Sequence, residues 1–141
     1  KARAVIVVDA GPLIALFDSR HAAHIRCRRV LRAIHEPTLT TIAVLTEAFQ
    51  ILGPSSASSG LLREYILHGG LDVWFMDRSG VARAFELMET YADHAMDFAD
   101  ASLVVAAESL DTRKVFTLAM NDFKAYRVRR GHRHEPFEIV S

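Results

Sequence analysis

The stretch Val5-Ile6-Val7-Val8-Asp9 decides the predicted fold of this chain. Four consecutive β-branched apolar residues are typical of a strand that is buried on both faces of a parallel sheet. Gly11 and Pro12 then end the strand, and a helical run begins at Leu13. In open α/β sheets, sites form beyond the carboxyl ends of the strands, so Asp9 stands where chemistry is expected. Taken alone, Asp9 is equally compatible with a turn former or a helix cap.

Length and composition indicate a single domain over residues 1–141, half of them apolar. No apolar run approaches the length of a membrane span, and no signal peptide is visible. Cys27 is the only cysteine. A lone cysteine excludes an internal disulfide and a multi-cysteine zinc site, and together these features predict a cytoplasmic protein.

The charged residues balance to a net charge of zero, but the cations comprise 14 Arg and only 3 Lys. The planar guanidinium of Arg binds phosphate or carboxylate with two hydrogen bonds, which is compatible with nucleic acid or an acidic protein partner. The alternative is the codon bias of a GC-rich genome.

An amphipathic helix is predicted over His21–His35, and its arginines either contact a phosphate backbone or form a solvated face. Its predicted apolar side comprises Ala22, Ile25, Val30, Leu31 and Ile34, and its arginines are Arg26, Arg28, Arg29 and Arg32. His21, His24 and Cys27 also lie at helical spacing, but no fourth zinc ligand accompanies them.

The next helix, predicted over Ile42–Leu52, follows a short strand at 37–41 that ends in a Thr cap, and it stops at Gly53. Glu47 is its only charged residue. A carboxylate on a mostly buried helix needs a charged partner or a metal ion. Alternatively, Glu47 lies on a narrow exposed side of the helix that it shares with Gln50.

The remaining segments alternate between strands and helices, which predicts a three-layer α/β/α sandwich with a mostly parallel central sheet. Strands are predicted over Leu71–Met76 and Lys114–Leu118, a short apolar run covers Phe137–Val140, and helices are predicted over Leu61–His68 and Val81–Tyr91. The segment 55–60 is a loop or a weak helix start. The second of these helices offers Val81, Phe85, Leu87, Met88 and Tyr91 for packing.

Two further carboxylates begin an apolar helix. Asp97 is placed as the N-cap, with Asp100 three residues inside and Ala99–Ala107 otherwise apolar except for Ser102. A capping pair favoured by the helix dipole explains both acids without any catalysis. However, Asp9 and Glu47 also lie on apolar segments, and acids from separate elements are what a hard divalent ion such as Mg²⁺ requires.

Four ordered pieces of the chain resemble the PIN-domain ribonucleases, especially the toxins of VapBC toxin–antitoxin pairs. They are Val7-Val8-Asp9-Ala10-Gly11-Pro12-Leu13, Thr41-Ile42-Ala43-Val44-Leu45-Thr46-Glu47-Ala48, Met96-Asp97-Phe98-Ala99-Asp100-Ala101-Ser102-Leu103-Val104, and Arg113-Lys114-Val115-Phe116-Thr117-Leu118 with Asn121-Asp122-Phe123. Each piece alone is weak, but the ordered set covers the length of the chain and is fairly specific.

The resemblance implies that Asp9, Glu47 and Asp100 are the catalytic metal-site acids and that Asp97 is a close companion. The family usually carries another Asp two residues after the Thr of the last motif, where this chain has Ala119. Either Asp122 supplies the missing acid, or the site works with fewer ligands, or activity is impaired. An engineered change is a further explanation.

The resemblance also implies Mg²⁺- or Mn²⁺-dependent hydrolysis of RNA, a cognate antitoxin and a homodimer. Such hydrolysis uses metal-bound water for an in-line attack on phosphorus and leaves a 5′-phosphate. One alternative is a PIN-like domain that binds RNA or protein without cutting, which Ala119 supports. Another is a phosphatase with Asp9 as nucleophile, although Gly11 stands where its second Asp is expected.

Overall fold

The computed structural model describes residues 4–141, and its centre is a five-stranded sheet. In chain order, the elements are β1 (Ile6–Val8), α1 (Ala10–Phe17), α2 (His24–Ala33), β2 (Thr38–Thr41), α3 (Ile42–Leu52), α4 (Ala57–Leu67), β3 (Asp72–Trp74), α5 (Arg78–Thr90), a 3₁₀ helix (Ala92–His94), α6 (Phe98–Leu110), β4 (Lys114–Phe116), α7 (Met120–Ala125), β5 (Arg127–Arg130), β6 (Arg133–Pro136) and β7 (Glu138–Val140).

All five strands of the central sheet are parallel, in the order β3-β2-β1-β4-β7. Val7 in the middle strand is paired with Leu39 of β2 on one side and Val115 of β4 on the other. Ile6, Val7 and Val8 are all buried, as the apolar run predicts for a strand covered on both faces. The parallel sheet flanked by helices confirms the predicted fold class. Because the strands are parallel, the residues that follow β1, β2 and β4 meet at one edge.

The most buried helix is α6, in which every side chain from Ala101 to Ala107 is buried. It packs against β1, β2, α3 and α5. Small side chains at Ala101, Ala106 and Ala107 permit this close approach to the sheet. The helix begins at the carboxyl edge of the sheet, so its first turn is fixed beside the end of β1.

Two residues that the sequence predicts as apolar packing positions are exposed, although their helices also bury predicted positions. In α2, Val30 is buried as predicted, but Ile25 is 71% exposed and Cys27 is buried instead. In α5, Leu87 is buried as predicted, but Phe85 is 57% exposed and Ala84 is buried beside it. The predictions for Ile25 and Phe85 are wrong because the buried stripe of a short helix is narrow, so a large apolar side chain outside it faces solvent.

Two segments with weak sequence signals are ordered. Helix α4 starts at Ala57, where the Ser56 hydroxyl caps it by accepting from the Ser59 N–H at 3.0 Å, so the segment 55–60 contains a helix start. The arginine-rich stretch 127–136 forms the antiparallel hairpin β5–β6. Its turn uses Gly131 at φ +63°, a backbone conformation that glycine adopts without strain. Within residues 4–141, no helix is long and apolar enough to cross a membrane.

Candidate active site

Asp9 lies directly after β1 and caps helix α1. One carboxylate oxygen accepts from the Ala10 N–H at 2.8 Å, and the other accepts from the Thr117 hydroxyl at 2.8 Å. Burial raises the pKa of this carboxyl, although both hydrogen bonds oppose the shift, and the charges of Asp97 and Asp122 raise it further. Asp9 is therefore both a helix cap and a desolvated anion that repels its acidic neighbours.

Asp100 lies in the first turn of α6 and is the second central carboxylate. Desolvation, followed by the charges of Asp9 and Asp97, raises its pKa to about 7. The Tyr126 hydroxyl donates to Asp100 Oδ2 at 3.0 Å and opposes this shift. The same contact and the burial of Tyr126 raise the pKa of the phenol, so it remains a hydrogen-bond donor. Asp100 therefore has one oxygen held by a neutral hydroxyl inside a group of acids.

Asp97 is the N-cap of α6, as predicted, because its Oδ1 accepts from the Asp100 N–H at 2.8 Å. The helix cap accounts for one oxygen of Asp97. However, its charge raises the pKa of three neighbouring acids, Asp9, Glu47 and Asp100. Capping therefore explains where Asp97 lies, but it does not explain why so many anions share this edge.

Glu47 lies on the exposed side of α3, together with Gln50. This is the second of the two arrangements that the sequence left open for Glu47. That side nevertheless faces the acidic edge, because desolvation and then the charges of Asp9 and Asp97 raise the Glu47 pKa. The charges of Asp9 and Asp97 therefore act on Glu47 despite its exposed position, which is compatible with a role at the site.

Ala119 stands next to the central pair of acids. Its N–H donates to Thr117 Oγ1 at 2.9 Å, and Thr117 in turn donates to Asp9. Ala119 is also the N-cap of α7, which has no side-chain cap. One turn further on, Asp122 raises the pKa of both Asp9 and Asp100. Asp122 therefore lies within electrostatic range of the site from which the usual acid at 119 is missing.

The donor set suits a hard cation, because all five candidate ligands are carboxylates: Asp9, Glu47, Asp97, Asp100 and Asp122. Among residues 4–141, none of these acids forms an ion pair with an Arg, Lys or His side chain. A cation would relieve their mutual repulsion. In this arrangement, no three His, Cys, Asp or Glu side chains of the described chain are grouped closely enough to hold one ion together. Mg²⁺ is commonly held by only one or two carboxylates plus water, which this spacing permits.

The hydroxyls near the site have structural partners. Thr41 and Ser102 hydrogen-bond to each other at 2.7 Å and are buried, which ties β2 to α6. Thr117 bridges Asp9 and the Ala119 N–H. Bonds of this kind to turns and helices are a common role of Ser and Thr hydroxyls.

The alternative His/Cys group on α2 is not assembled. His24 Nδ1 contacts the Ala15 carbonyl at 2.7 Å, His21 Nδ1 accepts from the Ala23 N–H, and Cys27 is buried. These rings are engaged by the turn between α1 and α2. The described residues therefore give no support to a metal site there.

An apolar groove of about 790 Å³ borders the acids. Glu47 and Asp97 lie on its rim, and its walls come from α3, α6 and the segment after β3. The walls carry exposed apolar side chains, including Ile42, Ile51, Phe75 and Phe98. An exposed patch of this kind beside a polar rim marks an interaction surface.

Tyr126 is the site residue that the sequence reasoning missed. It lies 26 positions after Asp100, outside every piece of the resemblance, between a short helix and an arginine-rich strand. The sequence pattern indicates only a core residue at this position, and Tyr126 is fully buried against Tyr91 and Phe123. Only the folded chain shows that its hydroxyl reaches Asp100.

Comparison with known proteins agrees with this architecture. The family model described as PIN domain matches residues 6–130. Ribonuclease VapC26 of Mycobacterium tuberculosis is 27% identical over 128 residues, which cover 86% of this chain and 92% of that protein. Two solved structures share the fold. One is the M. tuberculosis VapC20 toxin, described as cleaving the sarcin-ricin loop, with a TM-score of 0.76 and 17% identity over 83% of this chain and 92% of that chain. The other is a toxin–antitoxin complex from Klebsiella pneumoniae, with a TM-score of 0.65 and 16% identity over 85% of this chain and 91% of that chain.

Proposed function

Because the chain belongs to the PIN domain family, we propose that it is a metal-dependent endoribonuclease and the toxin of a toxin–antitoxin pair. The observation that carries the proposal is the juxtaposition of Asp9 and Asp100. These two carboxylates come from different elements, the charge of Asp9 raises the pKa of Asp100, and neither forms an ion pair with a cation among the described residues. The relationship to a VapC ribonuclease supports the same reaction.

In this proposal, Asp9, Asp100 and Glu47 are the catalytic acids, one or two of which would hold the Mg²⁺ or Mn²⁺ directly with water completing its ligands, and Asp97 and Asp122 complete its negative surroundings. When bound, the ion activates water and stabilises negative charge on the phosphate. The side chains of the protein would bind the ion and fix the orientation of the carboxylates that hold it. Thr117 and Tyr126 each fix one oxygen of a central carboxylate and so orient that carboxylate. Hydrolysis in line then leaves a 5′-phosphate and a 3′-hydroxyl.

The proposed partners are RNA, a cognate antitoxin and a second copy of the chain, all met in the cytoplasm. We assign the apolar groove to the homodimer, because the exposed side chains on its walls are aliphatic and aromatic rather than basic. The antitoxin then controls access to the acids on the rim. Light scattering of the chain and of its Ile51→Asp variant tests the dimer. We expect a dimer for the former and a monomer for the latter, and a monomeric parent chain would contradict the assignment.

Cleavage of RNA with defined ends tests the reaction itself. We expect Mn²⁺-dependent cuts that carry 5′-phosphates, and we expect EDTA, Asp9→Asn or Asp100→Asn to abolish them. The matched control is Asp72→Asn, because Asp72 is exposed at the start of β3, on the opposite edge of the sheet. Cutting that survives in both site variants would refute the proposal. RNA binding without any cutting, even after Ala119→Asp, would favour a non-cleaving PIN-like domain.

A further inference from the structure

The cations of this chain are not evenly compensated, and helix α2 is the extreme case. It contains four arginines and no acid between His24 and Ala33, although the whole chain has no net charge. All four arginines, Arg26, Arg28, Arg29 and Arg32, are exposed. None of them forms an ion pair with any residue from 4 to 141.

The acids nearest to α2 in the chain are already used. Before the helix, Asp18 is paired with Arg20 at 3.2 Å, and after it Glu36 is paired with Lys114. The α2 arginines therefore repel one another at helical spacings of three and four residues without local compensation. Such like-charge pairs destabilise a helix.

Pairing distinguishes α2 from the other arginine-bearing elements. Of the nine arginines between residues 4 and 141 that lie outside α2, five face an acid within 4.0 Å: Arg20, Arg83, Arg113, Arg130 and Arg133. The other four are spread over α4, α5 and β5. A bias toward Arg codons would place arginine without regard to its neighbours, whereas α2 collects four unpaired arginines on one helix and is a positive surface available to a negatively charged partner.

The arginine surface of α2 also contains a shallow cleft of about 200 Å³. Its lining comprises Arg28, Arg29, Arg32 and Ile25, and Ile25 is 71% exposed. Guanidinium groups bind phosphate oxygens through two parallel hydrogen bonds, and their planes stack on unpaired bases. An exposed aliphatic side chain between them offers a base a second apolar contact. These features fit a single-stranded polynucleotide better than a lone anion.

The position of α2 relates this surface to the cleavage site. Helix α1 begins immediately after Asp9 and has eight residues, so it is about 12 Å long. Helix α2 packs on α1, and His24 contacts the Ala15 carbonyl near the end of α1. The arginine surface therefore lies on the helix that packs against the first helix after Asp9, so an RNA strand bound at Asp9 would have to extend across α1 to contact it.

We propose that the arginine face of α2, comprising Arg26, Arg28, Arg29 and Arg32 with Ile25, is an RNA-anchoring surface. It binds the phosphate backbone of a single-stranded segment beyond the scissile bond. This inference rests on the proposed ribonuclease function and extends it. The anchor accounts for RNA binding by a chain with no net positive charge, because the positive field is local.

The test compares two double variants with the same change in net charge. Arg28→Gln/Arg32→Gln removes the centre of the anchor. Arg113→Gln/Arg133→Gln is the matched control, because both side chains face Glu135 and neither belongs to α2: Arg113 precedes β4 and Arg133 begins β6. Circular dichroism and thermal melting establish that both variants fold. Binding is measured by fluorescence anisotropy with a labelled 20-nucleotide single-stranded RNA in EDTA, over a range of salt concentrations.

We expect the α2 variant to bind at least tenfold more weakly than the parent chain and the control, with a salt slope reduced by about 1.4 for two lost phosphate contacts on a single strand. In Mn²⁺, the α2 variant should lose kcat/KM on the 20-nucleotide RNA but not on a trinucleotide that is too short to reach it. Equal binding by all three proteins, or no RNA binding by the parent chain, would overturn the anchor.

This design distinguishes a failure of the RNA-anchoring proposal from a failure of the ribonuclease proposal. A binding defect in the α2 variant without any Mn²⁺-dependent cleavage would preserve the anchor and refute the ribonuclease. Cleavage of both RNAs at unchanged kcat/KM would preserve the ribonuclease and refute the anchor. Unchanged RNA binding combined with lost binding of an acidic protein partner would also refute it, because α2 would then serve that partner.

Discussion

The Tyr126 hydroxyl donates a hydrogen bond to Asp100 Oδ2 at 3.0 Å. The phenol ring is fully buried, with ring centroids 5.0 Å from both Tyr91 and Phe123, so the donor has little freedom to move. One oxygen of Asp100 is therefore fixed, and the other accepts no hydrogen bond from residues 4–141. A carboxylate held in this way is oriented before any cation or substrate arrives.

The first prediction concerns this hydrogen bond. Tyr126→Phe keeps the ring and its packing but removes the donor, so we expect Mn²⁺ affinity and RNA cleavage to fall by roughly 10–100-fold, as is usual for a lost partner of a metal ligand. Tyr91→Phe is the matched control, because the Tyr91 hydroxyl belongs to the same aromatic cluster but accepts only from the Arg127 N–H. Calorimetric titration measures the Mn²⁺ affinity of both variants. Equal affinity losses in the two variants would show a general packing effect instead.

The second prediction concerns pH and stability without metal. The pKa of Asp100 is raised to about 7 in the folded chain from the ordinary value of 3.8, so the folded state binds the extra proton between these values. The free energy of unfolding should therefore fall as pH rises from about 4 to 7 and then level off. The raised pKa values of Asp9 and Glu47 act in the same direction. Urea unfolding in EDTA at pH 5 and pH 7.5 measures the loss.

Asp100→Asn is the control for this pH effect, because it removes the titration of Asp100 with little change in shape. We expect a shallower decline in the variant, and an unchanged decline would assign the effect to other acids. Saturating Mn²⁺ should reverse the trend in the parent chain, since a cation binds the ionised carboxylates and competes with the proton.

The third prediction concerns Ala119. The Thr117 hydroxyl bridges the Ala119 N–H and the Asp9 carboxylate, and Ala119 provides no side-chain cap for α7. Ala119→Asp adds an anion to the cation site and should tighten Mn²⁺ binding by about tenfold, or roughly 1.4 kcal/mol. RNA cleavage should rise with it. Ala119→Asn separates charge from capping, because Asn caps a helix as well as Asp but adds no charge. Similar gains in both variants would attribute the effect to α7 stability.

The fourth prediction concerns Asp122. Since its charge reaches both Asp9 and Asp100, we expect Asp122→Asn to weaken Mn²⁺ binding in the parent chain by several-fold. Adding Ala119→Asp should restore most of that loss if the two positions supply the same negative charge. Asp93→Asn, an exposed acid on the 3₁₀ helix, is the control. Unaltered binding in Asp122→Asn would leave the missing family acid without a substitute.

The fifth prediction concerns the packing of α5 against α6. A Cβ on Gly80 would lie 2.6 Å from Met76 Cγ and 3.3 Å from Val105, so we expect Gly80→Ala to lower the free energy of unfolding by roughly 1–3 kcal/mol. Gly60→Ala in α4 should instead raise it by about 0.5–1 kcal/mol, because only the end of Arg63 is near. Urea melts of both variants test the contrast. A stabilised Gly80→Ala variant would contradict the tight helix contact.

The strands and helix caps were readable from the sequence because their signals are local. The run before Asp9, the Thr41 cap of α3 and the Asp97 cap of α6 all depend on residues within three positions of one another. The acids were found for the same reason, since each stands at the end of an apolar segment. Local patterns determine these elements before any tertiary contact forms.

Other features depend on partners that are distant in the chain. Ile25 and Phe85 have the composition of core residues, but the phase of a helix against its neighbours decides which side is buried. The hydrogen bonds from Thr117 to Asp9 and from Tyr126 to Asp100 link positions 108 and 26 residues apart. Whether one ion is held by two acids or more also depends on these long-range distances, so the assignment of metal ligands remains a prediction.

The pairing of β1 with β4 has a consequence during translation. Asp9 emerges from the ribosome early, but Lys114–Phe116 and Thr117 are synthesised more than a hundred residues later. A shorter nascent chain lacks the strand that closes the sheet beside Asp9 and lacks the donor to its carboxylate. Contacts of such long sequence separation form late and slowly. The proposed site around Asp9 is therefore incomplete until residues 114–117 have been synthesised, and the proposed antitoxin can reach the nascent chain before that site forms.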